Sequence, residues 1–287
     1  MKIYKPKNIK DTLTILSEIS DPRYILAGGT DLLVQAKDVV IPKSSWIDIS
    51  GISEFQTIQE VQLSNENFIW IGCCATFSDC IRSSFINNYI PSLSQACKIV
   101  GGPQIRNMGT IGGNIANASP AADSLPPLIS AGAELELASL HGKRTVLLEE
   151  FATGPRKTIL RKDEMVIGIK VPKTKNIIGH FLRIGTRASM AISKVSIAVT
   201  LAKNCNNDLS YLRIALGAVA PTVIRAKQTE KFLLENSITN RSINESSKLI
   251  MEEVYPIDDI RSTKEYRRSM CSVLLKRILT GIMCNNT

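Results

Sequence analysis

Two adjacent-glycine pairs, Gly28-Gly29 and Gly112-Gly113, constrain this 287-residue chain more than any other feature. Glycine reaches positive φ and has no Cβ, so paired glycines let successive main-chain N–H groups converge on one ligand. The first pair lies in Ala27-Gly28-Gly29-Thr30-Asp31, directly after an apolar run over 23–27 that reads as a strand. The second lies in a stretch, 101–127, crowded with glycine, proline and small polar residues and nearly free of charge between Arg106 and Asp123. A loop that long in a compact domain is usually functional or disordered, and its isoleucines and alanines favour an ordered loop packed on a ligand. Neither pair fits G-x-G-x-x-G, and the Walker pattern G-x-x-x-x-G-K-S/T is missing, which disfavours a Rossmann fold and a P-loop triphosphatase. The plainer reading of the first pair is a strand-to-helix turn. Spacing alone supports an anionic cofactor held by two glycine loops.

Composition narrows the remaining classes. The net charge is +9, but the basic residues are scattered and aromatic residues make up only 5%, which leaves few stacking platforms for single-stranded nucleic acid. Seven cysteines form no C-x-x-C pair and read as reduced thiols filling core positions. With two histidines, His141 and His180, a multi-histidine metal site is implausible. No apolar stretch approaches the roughly 18 residues needed to cross a bilayer, and the start of the chain lacks a signal-peptide core. The expectation is a cytoplasmic protein.

The periodicity divides the chain in two. Before residue 172 it predicts a helix over 10–19 and strands over 46–50 and 68–72. Helices follow over 76–87 and 91–100, then a hairpin whose tip carries His141, and a strand over 165–171. After a polar stretch at 172–176, three strands over 181–184, 195–201 and 209–218 precede helices over 225–235, 242–254 and 264–283. Ser262 and Glu265 have capping-box spacing at the start of the last helix. The predicted units are 1–175, with lobes of about 1–55 and 56–175, and 176–287.

Four segments carry a family resemblance: AGGTDLLVQ (27–35), GGPQIRNMGTIGGNIANASPAAD (101–123), GTRASMAISKVSIA (185–198) and DIRSTKEYRR (259–268). In this order and at these distances, they resemble the FAD-binding medium subunits of molybdenum hydroxylases, closest to bacterial xanthine dehydrogenase FAD-binding subunits. The resemblance implies an α+β fold. A two-lobed FAD-binding domain of the vanillyl-alcohol-oxidase (PCMH) type would be followed by an α+β domain with a three-stranded antiparallel sheet and a helical bundle.

It also implies the site. Ile25, Leu26, Ala27, Gly28, Gly29, Thr30, Asp31 and Leu32 would line one diphosphate loop, and Thr110, Ile111, Gly112, Gly113 and Asn114 the other. Asp123 would contact the cofactor and Val166 its adenine end. Leu182 falls where some relatives have a lysine near the flavin, with Arg183 beside it, and Val100 where animal relatives stack an aromatic ring on adenine. Arg187, Ser189 and Met190 are candidates to face the isoalloxazine, with a plain turn between two strands as the equal alternative. Neither glycine loop contains histidine or cysteine, so FAD should be noncovalent. No side chain is assigned as catalytic, and molybdopterin and the [2Fe-2S] clusters would belong to partner chains, a large and a small subunit. Electrons would then leave through FAD to NAD+. The alternatives are a self-contained FAD-dependent oxidoreductase of the same fold, and a non-catalytic nucleotide- or polyanion-binding protein using the +9 charge.

Overall fold

The computed structural model describes residues 2–20, 22–38, 44–63, 65–187, 190–206 and 208–284. The chain begins with a three-stranded parallel sheet in which Ser45–Asp48 lies between Lys2–Tyr4 and Arg23–Leu26. Parallel neighbours need crossover connections, and the helices Ile9–Glu18 and Leu32–Asp38 lie in them. The first helix starts where Asn8 accepts the Asp11 amide at 2.8 Å, and it buries Thr12, Leu13 and Leu16.

A five-stranded antiparallel sheet follows, ordered Ile58–Leu63, Glu66–Gly72, Met165–Pro172, Glu134–Ser139, Gly142–Leu147. Its central strand enters last in sequence and is buried from Met165 to Val171. A register shift between Val166 and Gly168 bulges that strand. Gly168 lies under the Trp70 ring, where an added Cβ would fall 2.1 Å from the nearest ring carbon. His141 lies exposed between the two strands of the expected hairpin.

Six short helices separate the second and third strands of this sheet in chain order, and they correct two expectations. The helix expected over 76–87 is two, Phe77–Arg82 and Ser84–Tyr89, broken at Ser83 with ψ 123°. Thr76 and Asp79 cap the first reciprocally, and the Ser83 hydroxyl caps the second. The stretch expected as a long loop is mostly helical: Pro103–Met108, Ile111–Ala116 and Leu125–Ser130. Proline at the first turn starts the first and third, and Thr110 caps the middle one.

The carboxy-terminal sheet has four antiparallel strands, not three: Ile177–Ile184, Val195–Lys203, Leu209–Gly217 and the two-residue Ile224–Arg225. Arg225, expected to open a helix, instead pairs with Ala215, and its guanidinium meets Glu230 at 2.6 Å and Glu149 at 3.2 Å. The helices Lys227–Asn236, Asn240–Leu249 and Lys264–Cys284 cover this sheet.

The Ser262/Glu265 capping box does not form. Asp259 accepts the Ser262 amide, Asp258 accepts the Lys264 amide, and the cap hydroxyl is that of Thr263, which accepts the Tyr266 amide. Arg267, one turn on and 5% exposed, faces Asp259 at 2.6 Å.

The larger core cluster spans both amino-terminal sheets and takes in Ala215 and Val223 from the carboxy-terminal part. A smaller cluster of Ala96, Phe181 and Ala198 fills the seam between the two parts. Of the cysteines, Cys73, Cys74, Cys80, Cys97 and Cys271 are buried as expected, but Cys205 and Cys284 are exposed. No helix among the described residues is long and apolar enough to cross a membrane.

Replacing Gly168 with alanine should displace Trp70 and cost about 1–3 kcal/mol, as overpacking does, read as a lower thermal midpoint with a red-shifted tryptophan emission. Burial raises the Asp259 carboxyl, but the Arg267 guanidinium and the Arg261 and Ser262 amides outweigh it and bring the group down to about 2. A depressed carboxyl stabilises the fold above its unfolded value near 4, and that contribution is lost as pH falls toward 2. Asp259→Asn should therefore flatten this limb of an acid-unfolding curve.

Candidate functional site

Where strand Arg23–Leu26 ends, Gly29 turns the chain at φ +70° into helix Leu32–Asp38. Gly28 is fixed by closeness: an added Cβ would fall 1.8 Å from the Met108 carbonyl oxygen. The first glycine turn therefore closes onto the 108–109 connection, just before the second. Leu33 and Gln35 donate their amides back to Gly29 and Asp31. Among the described residues no acceptor meets the amides of Gly28, Gly29, Thr30 or Asp31. The Asp31 carboxylate accepts the side-chain amide of Gln35. The turn thus presents unengaged N–H groups of the kind that hold a phosphate.

The second glycine pair is built differently, which corrects the expectation of a second main-chain cradle. Ile111 donates to the Ala75 carbonyl at 2.9 Å, Gly112 to Cys73 at 3.0 Å, and Gly113 to the Thr110 hydroxyl at 3.1 Å. Gly112 is needed for packing, because a Cβ there would sit 2.5 Å from the Cys73 carbonyl oxygen. Gly113 is the more open member: it is exposed, and a Cβ would meet only the Thr110 hydroxyl, at 2.8 Å, which would have to shift slightly. Asn114 accepts the Ser124 hydroxyl at 2.6 Å, which leaves its NH2 group to donate. The free amides of the first turn and the side-chain-free surface at Gly113 fit an elongated phosphate-bearing cofactor.

Val166 is buried in the bulge of the central strand, next to Ile167, whose carbonyl accepts the Cys73 amide at 3.2 Å. It therefore adjoins the turn on which Gly112 rests. Asp123 is 7% exposed and both of its oxygens are engaged. Arg183 donates to Oδ2 at 2.5 Å and Ser193 to Oδ1 at 2.6 Å. Arg183 also donates to the carbonyls of Ile99 at 2.7 Å and Ala191 at 3.0 Å. Burial pushes the Asp123 carboxyl above its ordinary range, opposed by the Ser193 hydroxyl and Arg183.

Leu182 does not join this group. In strand Ile177–Ile184 successive side chains alternate, so Phe181 and Arg183 face the amino-terminal part. Leu182 is 37% exposed and lies on the opposite face, with Ile178 and Ile184, which pack on the carboxy-terminal core. Arg183, the neighbouring basic residue, reaches the site. Arg183, Ser193 and Met108 were not among the expected site residues. The signal for Arg183 was its even spacing from Gly179 and Phe181 along the strand.

Around the rim, Arg106 donates to the carbonyls of Val100 and Gly101, and Gly101 turns at φ +49° beneath Ile105. Met190, 60% exposed at φ +50°, has its methyl 3.6 Å from where a Gly102 Cβ would be, and Arg187 donates twice to its carbonyl. Ser189 lies outside the described residues. Burial lowers the His180 imidazole below its usual value. Among the described residues no three histidine, cysteine, aspartate or glutamate side chains are grouped to hold a metal ion.

A small parallel lobe and a larger antiparallel lobe meeting at glycine turns, with an α+β unit behind them, define a two-lobed dinucleotide-binding protein of the vanillyl-alcohol-oxidase type. Residues 1–174 match the model for the FAD binding domain in molybdopterin dehydrogenase, and residues 180–282 that for the CO dehydrogenase flavoprotein C-terminal domain. The chain belongs to the FAD-binding medium subunits of the molybdenum hydroxylases.

It is 30% identical over 280 residues to the xanthine dehydrogenase FAD-binding subunit of Escherichia coli O157:H7, covering 96% of this chain and 94% of that one. It is 29% identical over 278 residues to the carbon monoxide dehydrogenase medium chain of Hydrogenophaga pseudoflava, covering 97% and 95%. The solved carbon monoxide dehydrogenase of Hydrogenophaga pseudoflava that lacks the Mo-pyranopterin moiety superposes with a TM-score of 0.89 at 28% identity, covering 96% of this chain and 95% of that one.

Because the two glycine pairs are constrained differently, their variants should separate. Gly28→Ala is expected to lose thermal stability and FAD together, since its Cβ meets backbone. Gly113→Ala should keep the parent melting temperature within a few degrees while its FAD dissociation constant, titrated by flavin fluorescence, rises at least tenfold.

Proposed function

We propose that this chain is the FAD-carrying electron-transfer subunit of a xanthine dehydrogenase-like molybdenum hydroxylase. It would receive electrons from the [2Fe-2S] clusters of a small partner subunit and pass them through FAD to NAD+. A molybdopterin-binding large subunit would complete a cytoplasmic heterotrimer. The proposed units are 1–175 for FAD, with lobes of about 1–55 and 56–175, and 176–287 behind it. The observation that carries the reading is the first glycine turn, with its unengaged amides closed onto Met108, in a chain matched by the family along nearly its whole length.

FAD, when bound, accepts electrons singly and releases them in pairs. The chain's own residues bind and orient it. The amides of Gly28, Gly29, Thr30 and Asp31 would hold the diphosphate, and the bare surface at Gly113 would let the cofactor approach without steric contact. Asp123, fixed by Arg183 and Ser193, would sit at a set depth behind it, and Val166 would pack at the adenine end. Neither turn carries histidine or cysteine, which supports a noncovalent cofactor.

The purified full chain should take up one FAD, released into the supernatant on acid precipitation, and anaerobic NADH should bleach its visible absorption. A colourless protein that takes up no FAD would refute the assignment. Flavin that NADH leaves oxidised would refute the acceptor, and substrate turnover by the isolated chain would refute the subunit role.

A further inference from the structure

We infer that Arg267 is a positioning residue for the second glycine element: through Ala218 and Pro120 it fixes the turn that carries Asp123 and Ser124. The inference rests on the FAD-subunit reading above.

Arg267 lies in the first turns of the last helix and is almost fully buried. Its Nη1 donates to the Ala218 carbonyl at 2.9 Å, and its Nη2 lies 2.6 Å from Asp259 Oδ1. Asp259 is itself locked, accepting the amides of Arg261 at 2.8 Å and Ser262 at 3.1 Å. The guanidinium therefore cannot swing away from Ala218 without breaking an ion pair. Nε and Nη2 make no aligned hydrogen bond, so the fork is held by the Nη1 bond to Ala218 and by the charge and closeness of Asp259 at Nη2.

Ala218 sits at φ +62°, a left-handed conformation that alanine adopts only when held. In that conformation its N–H donates to the Pro120 carbonyl at 2.8 Å. The two sides of one strained residue thus join the last helix to the turn at 120–124. From that turn Ser124 donates to Asn114, and Asp123 takes Arg183 and Ser193. The path runs from the carboxy-terminal helix to the helix bearing Gly112 and Gly113 without a gap in hydrogen bonding or covalent chain. A helix cap alone requires none of this, since the Thr263 hydroxyl and Asp258 already serve the first turn.

The test measures FAD binding by the full chain through fluorescence titration, together with the visible circular dichroism of the bound flavin. Arg267→Gln should raise the FAD dissociation constant at least tenfold and alter the flavin dichroism at unchanged far-ultraviolet dichroism. Adding Ala218→Gly should recover most of the loss, because glycine adopts the left-handed conformation without the clamp. A purely structural role for Arg267 lowers the melting temperature yet leaves both flavin readouts at parent values, and that result would overturn the proposal. If Arg267→Gln does not fold, Asp259→Asn decides: a severalfold weaker FAD complex supports the strut, and parent affinity overturns it. A parent chain that binds no FAD refutes the subunit reading itself, whereas a parent that binds it as tightly as both variants removes only the role of Arg267.

Discussion

Beside the glycine turns, the two halves are tied by one buried ion pair, Asp123 with Arg183, which acts together with the apolar seam and the Arg225–Glu149 pair. Asp123 belongs to the turn before helix Leu125–Ser130, and Arg183 to the edge strand of the carboxy-terminal sheet. The Asp123 oxygens are filled by the guanidinium and the Ser193 hydroxyl, while the remaining guanidinium donors go to the carbonyls of Ile99 and Ala191. A pair buried this way adds little net stability over an apolar replacement, but removing one partner costs about 3–5 kcal/mol because the other charge is left unpaired. Its value is therefore geometric. One planar fork sets four chain segments at fixed separations, including the rim turn at 99–101 and the loop that presents Met190.

The two glycine pairs look alike in sequence and do different work. The first leaves its amides open because its chain passes from a strand into a helix there, and the Met108 backbone packed against Gly28 accepts none of them. The second gives its amides to Ala75, Cys73 and Thr110, because there a helix end is packed directly on another turn. Both need glycine for close approach, Gly28 to Met108 and Gly112 to Cys73. Only Gly113 combines the absence of a side chain with an open surface.

Much of the fold was legible from residue patterns because long, alternating or apolar segments have few alternatives. The strands at 68–72, 165–171 and 195–201 each bury a face that no loop could satisfy. The short helices of 103–130 were not legible as such: six residues give no readable period, and what makes them helical is the capping by Thr110 and the prolines at their first turns. The two-residue strand at Ile224–Arg225 exists because of its partner Ala215 and the acids around Arg225, which composition does not reveal. The Ser262/Glu265 capping box failed for a similar reason, since the Asp259 carboxylate takes the Ser262 amide first. At the site, the first turn was read from a strand followed by Gly-Gly. Asp123 was named without its partners, and Leu182 was named for a position whose side chain the strand's alternation turns the other way.

The distribution of the thiols has a consequence for a chain that works with a flavin in air, where reduced flavin and dioxygen yield peroxide. Peroxide oxidises a cysteine through its thiolate. Burial pushes the Cys73 and Cys97 thiols well above their usual range and raises Cys271 to about 12, so at neutral pH these sulfurs stay protonated and shielded. Among the described cysteines only Cys205 and Cys284 lie exposed at the surface, where an oxidant reaches them directly.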